Sequence, residues 1–407
     1  MESQTVYDIV IVGGGIVGAA TAYKVQSKYP SLKVLLIEKE SHLAAHQTGN
    51  NSGVIHSGLY YKPGSAKAKT CVDGRKQLVK FAKEYNITHD ICGKVVVAVS
   101  DDELPSMDRI FQNGLANNTE GIEKISGNQV KDIEPFVESI GGIWVPCAGI
   151  IDFKGATEKM AEIVMSIQPR SKVVLGEEVL SYQHDSDITK VLTSKQKYLT
   201  KNMIFCGGLQ ADRLAKRDHV KLKEKVVPFR GDYYNLTEEG KLKVRNLIYP
   251  IPNLAFPFLG VHFTRMVNGD VECGPNAVLN FKREGYNKTD FNFNDTMDTL
   301  TYKGTWNLLF KHTGFALNEY RRAFSKKLFL NTLQRLIPSL KMEDIEPARS
   351  GVRAMLLRED GKMYEDFRIE YKDRSIHVLN APSPAATASL AIADRICEMA
   401  SQRFGLD

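Results

Sequence analysis

Two histidines lie in sequence settings that suit proton transfer. His56 belongs to GNNSGVIHSGLYY, residues 49–61, a run with three glycines and two asparagines. His262 belongs to GVHFTR, among β-branched and aromatic residues. Since an imidazole has an ordinary pKa of about 6.5, it is the side chain best matched to accepting a proton near neutral pH. We predict that His56 is a general base, with His262 as its rival for that role or as an orienting residue.

Arginines in three other short motifs have the chemistry to bind an anion. A guanidinium group suits a carboxylate because it can donate two parallel hydrogen bonds to it. Ion pairing at the surface or between domains is the common alternative for each arginine. The candidate anion-binding residues are Arg353 in GVRAM, Arg265 in HFTR and Arg230 in PFRG, helped by Tyr60, Tyr233, Lys62 and Ser383.

A glycine fingerprint near the N-terminus predicts binding of an ADP-containing cofactor. VGGGIVG supplies Gly13, Gly15 and Gly18 in the order G-x-G-x-x-G. In this pattern the first glycine makes a tight turn, the second lets the backbone approach a diphosphate, and the third allows close helix packing. Glu38, twenty residues after Gly18, can accept hydrogen bonds from both hydroxyls of an adenosine ribose. A glycine turn that only packs two elements together is the alternative.

The elements around the fingerprint have the order that is needed to position it. Residues 7–12 are a continuous apolar run, 15–28 carry small residues at helical spacing, and 33–37 form a second apolar run. A strand, a helix and a strand within about thirty residues predict one βαβ unit of a parallel sheet that is buried on both faces. Further helices are predicted over 66–85, 156–167 and 296–340, and further strands over 94–100, 173–175, 198–206 and 376–379.

The fingerprint is shared by FAD and NAD sites, and the rest of the chain favours FAD. The chain holds one copy of the fingerprint. The strands and helices predicted for the dinucleotide-binding domain come from the start, the middle and the end of the chain, so a second domain interrupts it. Ser383 is predicted to cap a C-terminal helix with Pro384 at its first position. The amides at such a helix end suit the negative charge of a reduced flavin. The other predicted cofactor-binding residues are Ile16, Val17, Lys39, Thr48, Asn51, Ser52, Gly53, Val54, Val179, Cys206, Gly207, Gly351, Pro382 and Ala385.

Composition bounds the class of protein. At 407 residues the chain exceeds the roughly 250–300 at which one hydrophobic core stops growing, so two domains are expected. A net charge of +6 is spread without a long basic tract, which argues against nucleic-acid binding. Six cysteines without Cys-x-x-Cys spacing indicate a reducing compartment and no structural zinc. The opening residues MESQTVYDIV resemble neither a secretory signal nor a transit region, and no apolar run approaches the ~20 residues of a spanning helix.

The predicted fold class is α/β, a Rossmann-like FAD-binding domain interrupted by an α+β substrate domain with an antiparallel sheet. β-Branched and aromatic residues over 226–274, with a turn at Asn268-Gly269, favour the antiparallel strands. Residues 101–139 lack strong periodicity and are expected to be peripheral. The FAD-binding domain is predicted over 1–90, 146–225 and 345–407, and the substrate domain over 91–145 and 226–344.

Six motifs in order resemble one enzyme family over nearly the whole chain. They are DIVIVGGGIVGAATAY, TGNNSGVIHSGLYYKPGSAKAK, PFRGDYY, FPFLGVHFTR, GPNAVLNFKREGY and NAPSPAATASLAIA. Together they resemble the L-2-hydroxyglutarate dehydrogenases, within the D-amino-acid oxidase-like FAD oxidoreductases. The parts least similar to the family are 101–140, 168–172 and 285–325.

The resemblance implies a reaction and its partners. The implied cofactor is FAD, without a nicotinamide. The implied reaction is oxidation of the small dicarboxylate L-2-hydroxyglutarate to 2-oxoglutarate. The electrons would then be delivered towards a quinone or another electron-transfer acceptor. In eukaryotes it implies the mitochondrion; otherwise the cytoplasm is expected. His56 would then remove the hydroxyl proton, and Gly49, Gly53 and Gly58 would let the loop pass close to the flavin ring. Two carboxylates would need paired cations, because burying them alone is costly.

Two further questions stay open at this point. The helix pattern of YKGTWNLLFK, residues 302–311, fits peripheral association with a membrane surface, although a core helix is the favoured interpretation. An amine, amino-acid or glycerol-phosphate oxidase or dehydrogenase of the same fold is the alternative function. A flavin- or NAD-binding protein without turnover is an alternative of a different class, which the histidine-bearing loop disfavours.

Overall fold

The computed structural model describes residues 5–252 and 260–406. The first part of the FPFLGVHFTR motif, up to residue 259, lies outside the described residues. Within these ranges the chain forms an eight-stranded sheet, a nine-stranded sheet and a small three-stranded sheet. The helices are Ile16–Lys28, Ala66–Glu84, Leu104–Ala116, Gly127–Ile133, Phe153–Ile167, Ala211–Arg217, Glu238–Lys241, Phe293–Leu300, Lys303–Lys311, Thr313–Phe324, Lys326–Leu333 and Ser389–Phe404.

The first sheet carries the glycine fingerprint at its centre. Its strands are Val6–Val12, Val34–Ile37, Lys172–Val174, Val179–Asp185, Ile188–Thr193, Lys197–Phe205, Arg368–Lys372 and Ser375–Asn380. Val6–Val12 runs parallel to both neighbours, with Val12 opposite Ile37 on one side and Phe205 on the other. All three strands therefore end at one edge, where the glycine turn follows. The predicted βαβ unit and the predicted α/β class are confirmed.

The second sheet is mainly antiparallel, as predicted. Its strands are Lys94–Ala98, Glu123–Ser126, Gly141–Val145, Lys225–Leu236, Leu247–Pro250, His262–Arg265, Val271–Gly274, Val278–Leu279 and Ile345–Leu357. The long pair in this sheet joins Lys225–Leu236 to Ile345–Leu357. The predicted domain boundary at residue 345 thus falls at the start of a strand of this sheet, and the chain returns to the first sheet after Leu357.

The small sheet fixes the backbone directly before His56. Its strands are Val54–Ile55, His89–Asp90 and Gly149–Ile151. Val54 pairs with Ile150 and Ile55 pairs with Gly149. Because the side chains of Val54, Ile55, Ile150 and Ile151 are all buried, this pairing places the histidine loop on a rigid support.

Residues 101–139 hold regular structure that the sequence interpretation missed. The region contains the helices Leu104–Ala116 and Gly127–Ile133 and the strand Glu123–Ser126. The first helix buries Met107, Ile110 and Gly114. These residues recur every three to four positions, as on the apolar face of a surface helix, so the helical signal was present in the sequence and the interpretation overlooked it.

Candidate active site

A cavity of about 740 Å³ runs between the first and second sheets. This volume is in the range of roughly 300–1,000 Å³ that is usual for cofactor and ligand sites. Its walls come from the glycine turn, the loop before Val54, the turn after Asn380 and the strand Ile345–Leu357. The predicted residues that line it are Gly13, Gly15, Ile16, Val17, Glu38, Lys39, Thr48, Asn51, Ser52, Val54, His56, Val179, Cys206, Gly207, Tyr233, His262, Gly351, Arg353, Pro382, Ser383, Pro384 and Ala385.

The glycine turn at one end of the cavity has no room for side chains. Gly13 has a φ of +111°, and an added Cβ would overlap the carbonyl oxygen of Cys206. A Cβ on Gly18 would overlap the carbonyl oxygen of Gly13, so this glycine allows the helix to approach the strand without lining the cavity itself. The turn therefore leaves the backbone open to a ligand beside the start of the helix Ile16–Lys28.

Glu38 and Thr48 complete this end of the cavity. The Glu38 carboxylate accepts hydrogen bonds from the backbone N–H of Gly14 at 2.6 Å and of Glu40 at 2.9 Å. Thr48 Oγ1 accepts one from the first helical amide, Ile16, at 3.0 Å. The first two bonds fix the Glu38 carboxylate at the end of the second strand, where it suits an adenosine ribose. The third fixes the Thr48 hydroxyl at the start of the helix, where it suits a diphosphate.

Lys39 belongs to a charged cluster at the same end. Its ammonium contacts Glu40, His46 Nε2 at 3.0 Å and Glu284 Oε2 at 2.9 Å. Glu40, His46 and Glu284 lie close enough together to hold a metal ion. The Lys39 ammonium contacts all three groups, so a cation of the protein already lies among them.

The loop with His56 uses its glycines and asparagines differently from the expectation. Gly53, with a φ of +67°, is buried against Ile151 and does not line the cavity, and an added Cβ on Gly49 would meet the carbonyl oxygen of Ala44. Asn51 donates to Thr48 O and accepts from the N–H of Gly53, both at 2.8 Å. These residues therefore fix the conformation of the loop through contacts with neighbouring backbone. The sequence had instead predicted that the glycines let the loop pass close to a flavin ring.

Arg349 holds this loop from the second sheet. Its guanidinium donates to the carbonyl oxygens of Gly49 at 2.6 Å and Asn51 at 2.7 Å. The same group bonds to the buried Glu272 carboxylate at 2.7 Å. Arg349 was not among the predicted site residues, since its contacts lie about 300 positions away in the sequence.

His56 and His262 both line the opposite end of the cavity. Burial and the nearby Lys94, His262 and Lys67 lower the pKa of His56 to about 3. Burial also lowers the pKa of His262 to about 4, with Arg353 and Lys94 adding to the effect. Both imidazoles are therefore unprotonated at neutral pH, and pKa values this low make each a weaker base than a free imidazole.

The two histidines differ in how the protein orients them. His262 Nδ1 lies 2.9 Å from the Gly260 carbonyl oxygen, so Nδ1 carries the proton and Nε2 is left as an acceptor. The His262 ring also stacks on Tyr249, with centroids 4.0 Å apart. The His56 backbone N–H donates to Thr387 Oγ1 at 3.1 Å, and its ring makes no hydrogen bond with the described part of the chain.

Cations surround the histidines. Arg353 lines the cavity, and burial lowers the pKa of its guanidinium. Lys94 is 1% exposed and lies between the rings of Tyr60 and Tyr249, with its ammonium 4.8 and 4.7 Å from their centroids. Burial lowers the pKa of Lys94 to about 8, so it is mainly charged at neutral pH. The histidine end of the cavity is thus electropositive and suits an anion.

Four predicted substrate residues lie away from the cavity walls. Arg265 forms an ion pair with Asp90, and the buried Arg230 bonds to Asp232 at 2.7 Å. Lys62 is exposed beside the loop. Tyr60 lies behind Tyr249 against Lys94, where burial raises the pKa of its hydroxyl well above 10. Arg265 and Arg230 have acidic partners, so they form ion pairs within the protein, which was the alternative to binding an anionic ligand.

Comparison with known proteins agrees with this geometry. Residues 8–399 match the family model described as FAD dependent oxidoreductase. A protein of Indibacter alkaliphilus named L-2-hydroxyglutarate dehydrogenase is 45% identical over 98% of this chain and 100% of its own length. A protein of Nematostella vectensis named L-2-hydroxyglutarate dehydrogenase, mitochondrial, is 40% identical over 98% of this chain and 91% of its own length. The chain belongs to the FAD-dependent oxidoreductase family.

A solved structure supports the fold of this family. The dithionite-reduced L-α-glycerophosphate oxidase of Mycoplasma pneumoniae, with FAD bound, superposes with a TM-score of 0.77 at 23% identity. The match covers 96% of this chain and 94% of that chain. The predicted family and the predicted cofactor, FAD, are confirmed, and the glycine turn, Glu38 and the volume of the cavity fit that cofactor.

The C-terminal turn of this FAD-dependent oxidoreductase differs from the prediction. The last helix begins at Ser389 with Ala388 as its N-cap, so Ser383 is not a helix cap and Pro384 is not a first helical residue. Residues 383–388 form turns in which the N–H of Ala388 donates to the carbonyl oxygen of Pro384 at 2.9 Å. The residues line the cavity as predicted, but through this turn instead of a helix end.

Several residues of the site were missed by sequence reasoning. Lys67, Tyr249 and Thr387 line the histidine end of the cavity, and Lys94 lies directly behind it. For Lys67 a signal existed, because PGSAKAK predicts a helix capped by Ser65, whose side chain accepts from the N–H of Ala68 at 3.2 Å. The direction in which that helix presents its first lysine depends on tertiary packing.

Proposed function

We propose that this enzyme oxidises L-2-hydroxyglutarate to 2-oxoglutarate. The observation that carries the proposal is the pair of unprotonated imidazoles that line the FAD cavity together with the half-buried Arg353. The names of the relatives from Indibacter and Nematostella support this substrate, since the chain matches both over nearly its full length. A 2-hydroxy acid needs a proton acceptor for its hydroxyl and a cation for its carboxylate, and these residues supply both.

The residues of the chain have separable roles in this reaction. The chemistry that FAD supplies when bound is acceptance of the hydride from C2. Arg353 binds the carboxylate next to C2 and so orients the hydroxyl towards the histidines. Tyr233 and Tyr249 cover this end of the cavity and exclude water.

We assign the proton transfer to His56. Its ring has no hydrogen bond within the described chain and is therefore free to accept the hydroxyl proton, while its backbone is fixed by Thr387 and the small sheet. His262, whose Nδ1–H is held by Gly260, offers only an acceptor at Nε2, so it competes with His56 for the same hydroxyl proton and is the rival base. The fixed tautomer of His262 also fits a base, so single substitutions at both positions are needed to separate the roles.

We also propose that electrons pass from the enzyme to a quinone-linked acceptor at a membrane surface. Helices between residues 303 and 333 expose Trp306 by 45%, Phe310 by 73% and Phe324 by 70%, while Leu308 is buried. Exposed aromatic rings among lysines suit the interface of a bilayer. No helix in the described ranges combines the length and the apolar composition needed to cross a bilayer. The location is mitochondrial in a eukaryotic host, as in the relative from Nematostella, and cytoplasmic in a bacterial host.

The experiment that tests the substrate is anaerobic mixing of the purified yellow protein with candidate compounds. L-2-hydroxyglutarate should bleach the flavin, whereas D-2-hydroxyglutarate, L-glutamate and glycerol 3-phosphate should not. Bleaching by an amino acid or by glycerol 3-phosphate would instead support the alternative, an amine, amino-acid or glycerol-phosphate oxidase or dehydrogenase of the same fold.

A further inference from the structure

Lys67 is a second cation at the histidine end of the cavity. It lines the same cavity as Arg353, His56 and His262. It is the second residue of the helix Ala66–Glu84, which Ser65 caps. The small sheet positions His56 and this helix positions Lys67, and both side chains line the same cavity.

The setting of Lys67 conflicts with ordinary rules for helix stability. A cation in the first turn of a helix opposes the helix dipole, which favours a negative charge there. Within 5–252 and 260–406, Lys67 forms no ion pair with a carboxylate, and its ammonium lies 4.9 Å from the centre of the Tyr61 ring. Burial lowers the pKa of the Lys67 ammonium, and the charges of Glu365 and Asp366 oppose this shift only from a distance. Such a local conflict is expected where a side chain serves a ligand.

Three further cations line the dinucleotide end of the cavity, and each has a partner within the protein. Lys39 pairs with Glu284 at 2.9 Å, and Arg213 pairs with Asp295 at 2.7 Å. Arg217 donates to the carbonyl oxygen of Val179 at 3.3 Å. Among the described residues, Arg353 and Lys67 are the lysine and arginine side chains that line the histidine end. The sequence NLAFPFL of 253–259 contains no cation.

The two cations reach the histidine end from different elements. Arg353 lies on the strand Ile345–Leu357 and Lys67 in the first turn of the helix Ala66–Glu84, and both line the cavity with His56 and His262. The charge of Lys67 acts on His56 and that of Arg353 acts on His262, while Lys94 acts on both histidines. Two cations on separate elements beside the histidines match a substrate with a carboxylate at each end.

We propose that Lys67 binds the C5 carboxylate of the substrate while Arg353 binds the C1 carboxylate, which makes Lys67 the residue that selects a dicarboxylate. This inference rests on the proposed function and adds the basis of its specificity. Burying the distal carboxylate without a cation would be costly, and the ammonium of Lys67 removes that cost. A monocarboxylic 2-hydroxy acid of the same length leaves the lysine without a ligand.

The test compares L-2-hydroxyglutarate with L-2-hydroxypentanoate, in which a methyl group replaces the C5 carboxylate. In the holoenzyme, Lys67→Met should lower kcat/KM for L-2-hydroxyglutarate by about 10²-fold, mainly through KM, and change that for L-2-hydroxypentanoate little. Lys67→Arg should recover activity to within about tenfold of the wild type, because the charge is retained. Lys69→Met is the matched control, since Lys69 is exposed on the same helix.

Calorimetric binding of 2-oxoglutarate and 2-oxopentanoate to the oxidised holoenzyme gives a second readout. Lys67→Met should weaken binding of 2-oxoglutarate alone, again by about 10²-fold. Equal losses for both compounds, or no loss for either, would overturn the assignment of Lys67. A wild-type enzyme that does not turn over L-2-hydroxyglutarate would contradict the proposed function instead, and the binding measurement would still test Lys67 separately.

Discussion

The protonation states of two side chains decide whether the cavity can support the proposed reaction. His56 and His262 have pKa values lowered to about 3 and about 4, chiefly by burial. A base is active when it is unprotonated, so its activity is lost as the pH falls through its folded pKa. We therefore expect kcat/KM of the holoenzyme to stay level from neutral pH down to about pH 5 and to fall below it. A fall centred near pH 6.5 would show that the base has an ordinary environment.

The same shifts predict a pH dependence of stability. Between the ordinary pKa of about 6.5 and the folded values, the unfolded chain binds protons at both histidines and the folded chain does not. Stability should therefore decrease as the pH falls from about 6.5 to 4, and His262→Gln should reduce the slope. Thermal unfolding of the holoprotein across this range measures the effect, and a slope identical to that of the wild type would contradict it.

At the scale of elements, the histidine loop depends on a contact from another sheet. Arg349 bonds to two loop carbonyl oxygens and to the buried Glu272. Arg349→Met leaves that carboxylate without its ion-pair partner, so we expect a loss of about 1–3 kcal/mol in unfolding free energy and weaker retention of FAD. Denaturant unfolding and flavin content measure these effects. Arg335→Met, which breaks an exposed pair with Glu103, is the matched control and should change neither.

The limits of sequence reasoning are visible in the same elements. Gly13, Gly18 and Glu38 could be predicted because their tasks are set by residues within one βαβ unit. The partners of Arg265 and Arg349 could not, because Asp90 and Gly49 lie 175 and 300 positions away. Ser383 followed by Pro384 fits a helix start locally, yet the chain adopts turns there and the helix begins at Ser389. Tertiary packing decided these cases.

At the scale of the whole molecule, the proposed membrane contact depends on the exposed aromatic residues of 303–333. Phe310 and Phe324 are 73% and 70% exposed. Replacing both by serine removes apolar area that would enter the lipid interface, so co-sedimentation with anionic phospholipid vesicles should decrease several-fold. Leu242→Ser removes a side chain that is 78% exposed, directly after the helix Glu238–Lys241 and outside 303–333, and is the control. Equal binding of all three proteins would contradict a membrane-facing role for these helices.

The rate at which L-2-hydroxyglutarate bleaches the flavin of His56→Gln under anaerobic conditions tests whether His56 is the general base. We expect the variant to keep its FAD and to be reduced about 10² to 10⁴ times more slowly than the wild type, because it lacks the base. His42→Gln, at an exposed histidine, should be reduced at the wild-type rate. A His56→Gln protein that retains FAD and is reduced as fast as the wild type would contradict this role for His56.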